Sequence, residues 1–176
     1  GSWRKRAYFW LDVQATRRAD LLIAVSEHTK TDVVRYLRYP ANRIHVTLEA
    51  AAPALQPATP QEGAAVRMRH GLPDRFVLYL GDTDLRKGVH RLLHAFSRWR
   101  AGSGDRDTAL VIAGPLHAPS HPLFLDLSGL AASLGLTGAV HLLGPVPEAD
   151  KAALYSAATV FAFLTEYEGF GLPRSE

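Results

Sequence analysis

The chain has 176 residues, 47% hydrophobic and 21% charged, with a formal net charge of +3 and no cysteine. That composition belongs to a globular protein, and the lack of cysteine excludes disulfides, zinc–thiolate sites and cysteine nucleophiles. The apolar runs fall short of the ~18 residues a membrane span needs, no basic stripe calls for nucleic acid as a partner, and a cytosolic location is the default.

The opening GSWRKRAYFWLDVQ is basic and aromatic but lacks the apolar core and cleavage site of a signal peptide. Trp3, Tyr8, Phe9 and Trp10 stand among Arg4, Lys5 and Arg6, a mixture that suits either a membrane surface or, preferably, a helix packed on further protein. ADLLIAVS, Ala19 to Ser26, reads as a buried strand ending on a small hydroxyl residue. SEHTKTDVVRYLRY follows as a helix, with Thr29 and Asp32 at capping-box spacing and Pro40 as its stop. Ser26, Glu27 and Thr29 lack the nucleophile elbow of a hydrolase, so a helix cap is the preferred reading for them. RIHVTLEA is the next strand, and Pro53, Pro57 and Pro60 mark a semi-rigid linker over 53–62.

Beyond the linker a new rhythm starts. AAVRMRHGL reads as a short helix closed by Gly71, and RFVLYLG as a strand ending on Gly81. KGVHRLLHAFSRWRAG is an amphipathic helix with Val89, Leu92, Leu93, Phe96 and Trp99 on one face. TALVIAG is a strand ending on Gly114, LFLDLSGLAASLGL a helix, and AVHLLG a strand ending on Gly144. EADKAALYSAA is a last helix before the strand TVFAFLT. Alternation of apolar strands with helices predicts an α/β fold with a parallel sheet covered on both faces. Ligands of such sheets sit beyond the carboxyl ends of the strands, where these glycines would form a shared rim.

Arg86 and Lys87 fall at the start of the helix after Gly81, a place suited to a phosphate or diphosphate. Neither a Walker loop nor the dinucleotide fingerprint is present. The closing FLTEYEGFGLPRSE carries Gly169 and Gly171 before Pro173, which reads as a second anion-binding turn at a helix start, with Glu168 and Glu176 eight positions apart. Phosphate-binding amides beside carboxylates describe a sugar nucleotide. His90 and His94 have metal-pair spacing but no third ligand nearby, and a packing or surface pair is preferred. His117 and His121 read as loop residues near the rim.

These stretches, from about Ala19 onward and in the same order, resemble a family 4 retaining glycosyltransferase of the GT-B fold. The most specific element is the terminal motif, which matches the spaced glutamate pair of that family at Glu168 and Glu176. The resemblance implies a two-domain enzyme with Rossmann-like sheets. Residues 1–52 would be the last elements of the acceptor-side domain, and 63–176 an incomplete donor-binding domain. It implies that a sugar passes from a nucleotide diphosphate donor to a saccharide or lipid-linked acceptor with retention at the anomeric carbon. Lys87 and Arg86 would hold the diphosphate and assist its departure, with Glu168 facing the donor sugar and Glu176 the ribose hydroxyls. Gly81, Gly114 and Gly169 would shape the crevice, the backbone of Phe170, Gly171 and Leu172 would touch diphosphate and sugar, and Pro145 and Val146 would flank the base. No metal and no cofactor beyond the donor are implied. The chain departs from the family at Asp82, where many members carry arginine, and at LEAAAP before the linker. The resemblance also implies that the chain is part of a longer enzyme and is inactive as a transferase alone. Two other readings are a binding module that kept the crevice without the chemistry, and another GT-B enzyme such as an epimerase or phosphorylase.

Overall fold

The computed structural model describes residues 3–50, 56–117, 124–165 and 168–169. The chain forms two compact units, one of Gly1–Ala51 with Glu168–Glu176 and the other of Ala52–Tyr167.

The first unit runs α1 (Trp3–Arg18), β1 (Leu22–Ala24), α2 (Glu27–Leu37), a 3₁₀ turn (Ala41–Arg43) and β2 (Ile44–Val46). β1 and β2 pair in parallel, with Ile23 opposite His45. Their core is small: Ala24, Tyr39 and Ile44 are buried, and Leu22, Val33, Val34 and Val46 pack on them. The expected strand over 19–26 shortens to three residues, and Ile23 is 70% exposed, so β1 is buried on one face only. α2 stops at Leu37 because Arg38 turns into the left-handed region at φ 53, before Pro40 can act as the stop. Polar bonds close this end of the unit: Tyr39 Oη donates to the Ala19 carbonyl at 2.7 Å, and Arg43 Nε to that of Asp20 at 2.7 Å. On α1 the side chains of Trp3, Tyr8, Phe9, Trp10 and Leu11 are all exposed. No helix among the described residues is long and apolar enough to cross a membrane.

The second unit begins with α3 (Pro60–His70), four residues earlier than the sequence pattern placed it. The cause is a capping box that composition hid among the prolines. Thr59 Oγ1 accepts from the Glu62 amide, Glu62 Oε2 accepts from the Thr59 amide, and Pro60 opens the first turn. Then come β3 (Phe76–Leu80), a 3₁₀ turn (Leu85–Lys87), α4 (Val89–Ser103), β4 (Ala109–Ala113), α5 (Leu127–Ser133), β5 (Val140–Gly144), α6 (Glu148–Ala157) and β6 (Val160–Phe161). The four strands lie in the order β5-β4-β3-β6, all parallel, with Leu78 opposite Val111 and Val111 opposite His141. β4 is buried along its whole length and its side chains alternate between two cores. Leu110 and Ile112 join Tyr79, Leu93, Phe96 and Leu136 on one face. Val111 and Ala113 join Val66, Phe76, Leu78 and Leu154 on the other. Each fully buried large side chain is worth about 1.5–3 kcal/mol of transfer free energy, so this double-sided sheet is the stable part of the chain. The parallel, two-faced α/β arrangement is the one the sequence predicted.

Three elements differ in detail. Trp99, assigned to the buried face of α4, is 41% exposed and stacks on Phe96 with ring centroids 5.5 Å apart. α5 starts at Leu127 rather than Leu123, because the Asp126 carboxylate accepts from the Gly129 amide and caps it there. β6 pairs only through Val160 and Phe161, opposite Val77 and Leu78. On the outer face α3 and α6 are joined by Asp150, only 4% exposed, whose carboxylate takes Arg69 Nη1 on one oxygen and His70 Nε2, at 2.8 Å, on the other.

Candidate functional site

Parallel strands bring their carboxyl ends to one edge, and in the second unit that edge is stitched together by backbone bonds. The Gly81 amide donates to the Ala113 carbonyl at 2.9 Å, and the Gly114 amide to the Gly144 carbonyl at 2.8 Å. The chains approach so closely that a Cβ on Gly114, at φ +140, would lie 1.9 Å from the Gly81 carbonyl oxygen. The rim therefore brings glycines together at three adjacent strand ends, with the Gly81 and Gly114 amides bonded to neighbouring strands.

From Gly81 the chain runs through Asp82, Thr83 and Asp84 into the 3₁₀ turn that carries Arg86 and Lys87. The two cations precede α4 instead of lying in its first turn, because Asp84 caps the turn ahead of it: its Oδ1 accepts from the Arg86 amide at 2.8 Å. The same carboxylate, 4% exposed, takes the Arg86 guanidinium through Nη2 at 2.6 Å and Nε at 3.3 Å. The Arg86 side chain beside it holds the Asp84 carboxyl below the usual carboxylate range, with further help from the Arg86 and Lys87 amides and against the opposing pull of burial. Arg86 itself remains largely exposed.

Asp82 takes a similar course. Its Oδ1 accepts from the Thr83 amide at 2.6 Å and lies 2.8 Å from His117 Nε2, whose ring stacks on Phe124 at 4.0 Å. Thr83 Oγ1 donates to the Pro115 carbonyl at 2.7 Å, tying the segment after β3 to the one after β4. Between them opens a cavity of about 150 Å³, lined by Thr83, Leu116, His117, Leu125, Leu127 and Leu142.

Gly88 closes the turn at φ +73, and a Cβ there would meet the Leu164 carbonyl oxygen at 2.5 Å. Thr165 Oγ1 stands 3.5 Å from the Arg86 carbonyl. The turn bearing the two predicted cations thus lies against Leu164 and Thr165 of the same unit. Pro145 is exposed beyond β5, while Val146 packs against the core under α3 and α6. His90 is half-buried and His94 exposed on α4, and among the described residues no three His, Asp or Glu side chains gather as a metal-holding group.

In the first unit Glu168 and Gly169 are half-buried. Ser26, not Thr29, is the cap of α2: its Oγ accepts from the Thr29 amide at 3.0 Å. Both hydroxyls also meet the terminal motif, Ser26 Oγ donating to the Gly169 carbonyl at 2.5 Å and Thr29 Oγ1 to the same oxygen at 3.1 Å. Phe170, Gly171, Leu172, Pro173 and Glu176 lie outside the described residues, as does His121. Sequence reasoning missed Asp84, whose place two residues before an arginine at a turn was a usable signal. It also missed the links of His117 to Asp82 and of Ser26 to Gly169, which no local pattern announces.

Comparison with known proteins follows the same lines. Residues 66–176 match the family described as Glycosyl transferases group 1. An O-antigen chain mannosyltransferase B of Escherichia coli is 31% identical over 159 residues, which are 90% of this chain and 40% of that protein. A serotype-specific mannosyltransferase WbdA of the same species is 28% identical over 174 residues, 97% of this chain and 21% of that one. The chain therefore spans at most about two fifths of the length of these relatives. Among solved structures, Anabaena HepE in complex with UDP and glucose superimposes with a TM-score of 0.77 at 21% identity, covering 92% of this chain and 43% of that one. The fold is shared with that protein.

Proposed function

This chain belongs to the glycosyl transferases group 1 family, and from that premise we propose that it carries the donor side of a retaining hexosyltransferase using a nucleotide diphosphate sugar. Mannose is the first sugar to test, since the relatives named above are mannosyltransferases, and the acceptor would be a saccharide or a lipid-linked one. The observation that supports this most directly is the turn at Arg86, Lys87 and Gly88, set beyond the carboxyl end of β3 and against Leu164 and Thr165.

The chemistry required is displacement of a nucleotide diphosphate from an anomeric carbon. Negative charge grows on the leaving phosphate while the sugar becomes cationic, so donors aimed at the phosphate lower the barrier most. Lys87 would supply the charge there. Arg86 would add its guanidinium, whose plane is fixed by the two bonds to the Asp84 carboxylate. The glycine rim, lacking side chains, would let the diphosphate approach the backbone closely. Glu168 would take hydroxyls of the donor sugar, Glu176 those of the ribose, and the amides of Phe170, Gly171 and Leu172 the diphosphate and sugar.

The test is calorimetric titration of the intact protein with UDP and GDP, followed by NMR of the anomeric configuration of the product. Saturable binding of one nucleotide is expected, weakened at least tenfold by Lys87→Ala, with the configuration of the donor kept in the product. A folded protein that binds neither nucleotide, or a product of inverted configuration, refutes the assignment.

A further inference from the structure

We infer that Ser26 and Thr29 are positioning residues that hold the loop of Glu168 through the Gly169 carbonyl, an inference that rests on the donor-side function given to Glu168 above. The capping role of Ser26 accounts for only one of its bonds. The N-cap requires a side-chain oxygen that accepts from the Thr29 amide. It does not require that the hydroxyl hydrogen point at a carbonyl 143 residues further along the chain, yet Ser26 Oγ donates to Gly169 at 2.5 Å. Thr29 has no capping duty here, and its hydroxyl converges on the same oxygen at 3.1 Å. Val25 stands beside the same residue, where a Cβ added to Gly169 would be in ordinary contact with Val25 Cγ2 at 3.4 Å. Two donors on one carbonyl fix the Gly169 oxygen, one residue beyond Glu168, and so restrict the backbone from which the Glu168 carboxylate leaves. A carboxylate that must meet sugar hydroxyls within a few tenths of an ångström gains from such a fixed backbone.

The two roles of Ser26 can be separated by chemistry. Ser26→Asp keeps a strong N-cap, but an ionised carboxylate only accepts hydrogen bonds and repels the Gly169 carbonyl. Ser26→Thr keeps both the cap and the hydroxyl donor. Thr29→Val has the same shape and lacks the hydroxyl. In the intact protein, Ser26→Asp and Thr29→Val are expected to lower kcat about tenfold, while nucleotide affinity and melting temperature stay close to those of the unaltered protein and Ser26→Thr restores kcat. Hydrogen exchange of the peptide covering 165–170 is expected to speed up several-fold in the first two variants and not in the third. Unchanged exchange in both hydroxyl-deficient variants overturns the inference, as does faster exchange with unchanged kcat. If the unaltered protein transfers no sugar from any nucleotide donor, the functional reading fails instead, and the exchange measurement still decides whether the anchor exists.

Discussion

Gly114→Ala is the substitution on which the rim geometry makes its sharpest demand. The added Cβ would lie 1.9 Å from the Gly81 carbonyl oxygen, 2.8 Å from its carbon and 3.4 Å from its nitrogen, all backbone atoms of a neighbouring strand end. Contacts under 3.0 Å are not seen for real Cβ atoms, so β3 and β4 must part at this end by about an ångström. Parting them stretches the Gly81 amide bond to Ala113, worth about 0.5–1.5 kcal/mol net. Alanine must also adopt φ +140, which adds roughly 1–3 kcal/mol. The sum is about 1.5–4.5 kcal/mol, a large part of the ~5–15 kcal/mol that holds a domain folded. Urea unfolding, with Gly138→Ala as control, measures it. The control residue also has positive φ, at +76, but its Cβ would meet nothing within 4 Å, so it isolates the backbone cost of about 1–2 kcal/mol. If Gly114→Ala is no more destabilising than Gly138→Ala, the close approach of the two strand ends is wrong, and with it the compact rim.

Two further outcomes follow from carboxylates the sequence did not single out. Asp84 is held below its ordinary value of 3.8 by Arg86, and a depressed carboxylate adds stability that is present above that ordinary value and lost as pH falls through the folded-state value. Asp84→Asn should therefore cost roughly 1–3 kcal/mol at neutral pH and flatten the acid limb below about pH 4, read from melting temperatures across pH. An unaltered acid limb would contradict the pairing. Asp150→Ala should destabilise the second unit by about 2–4 kcal/mol, because it leaves Arg69 and His70 without their shared, buried acceptor. Chemical denaturation checks this, and a loss under 0.5 kcal/mol would mean that the cluster is not what joins α3 to α6.

The strands were legible because burial on both faces leaves an uninterrupted apolar record, as in Ala109–Ala113, followed by the glycine that the rim demands. Helix starts were less legible. Thr59 and Glu62 form a full capping box, but prolines on either side gave that stretch the composition of a linker. Asp126 was read as one polar residue inside a helix, though it caps one. The place of Arg86 and Lys87 just beyond β3 was legible from charge after a strand end, a local signal. The bonds of Ser26 and Thr29 to Gly169 join residues 143 and 140 positions apart, and no periodicity or spacing encodes contacts of that kind.

The electrostatics of the turn after β3 differ from what a residue count implies. Read linearly, Arg86 and Lys87 are two cations awaiting a diphosphate. In the folded chain Asp84 and Asp82 stand in the same turn, so the formal charge of residues 82–87 is zero: Asp82 and Asp84 against Arg86 and Lys87. The Asp84 carboxylate is nearly out of contact with solvent and spends its capacity on the Arg86 amide and guanidinium. The Asp82 carboxylate is engaged by the Thr83 amide and His117. A phosphate approaching this edge would therefore meet little net attraction at a distance. The donors at short range would instead be a guanidinium whose plane is fixed by Asp84 and a lysine in the same turn. Long-range steering depends on net charge and is screened by salt, whereas preorganised short-range donors favour a ligand whose oxygens match their positions. If the proposed donor site is correct, Asp82 and Asp84 would trade general attraction for anions for geometric selection among them.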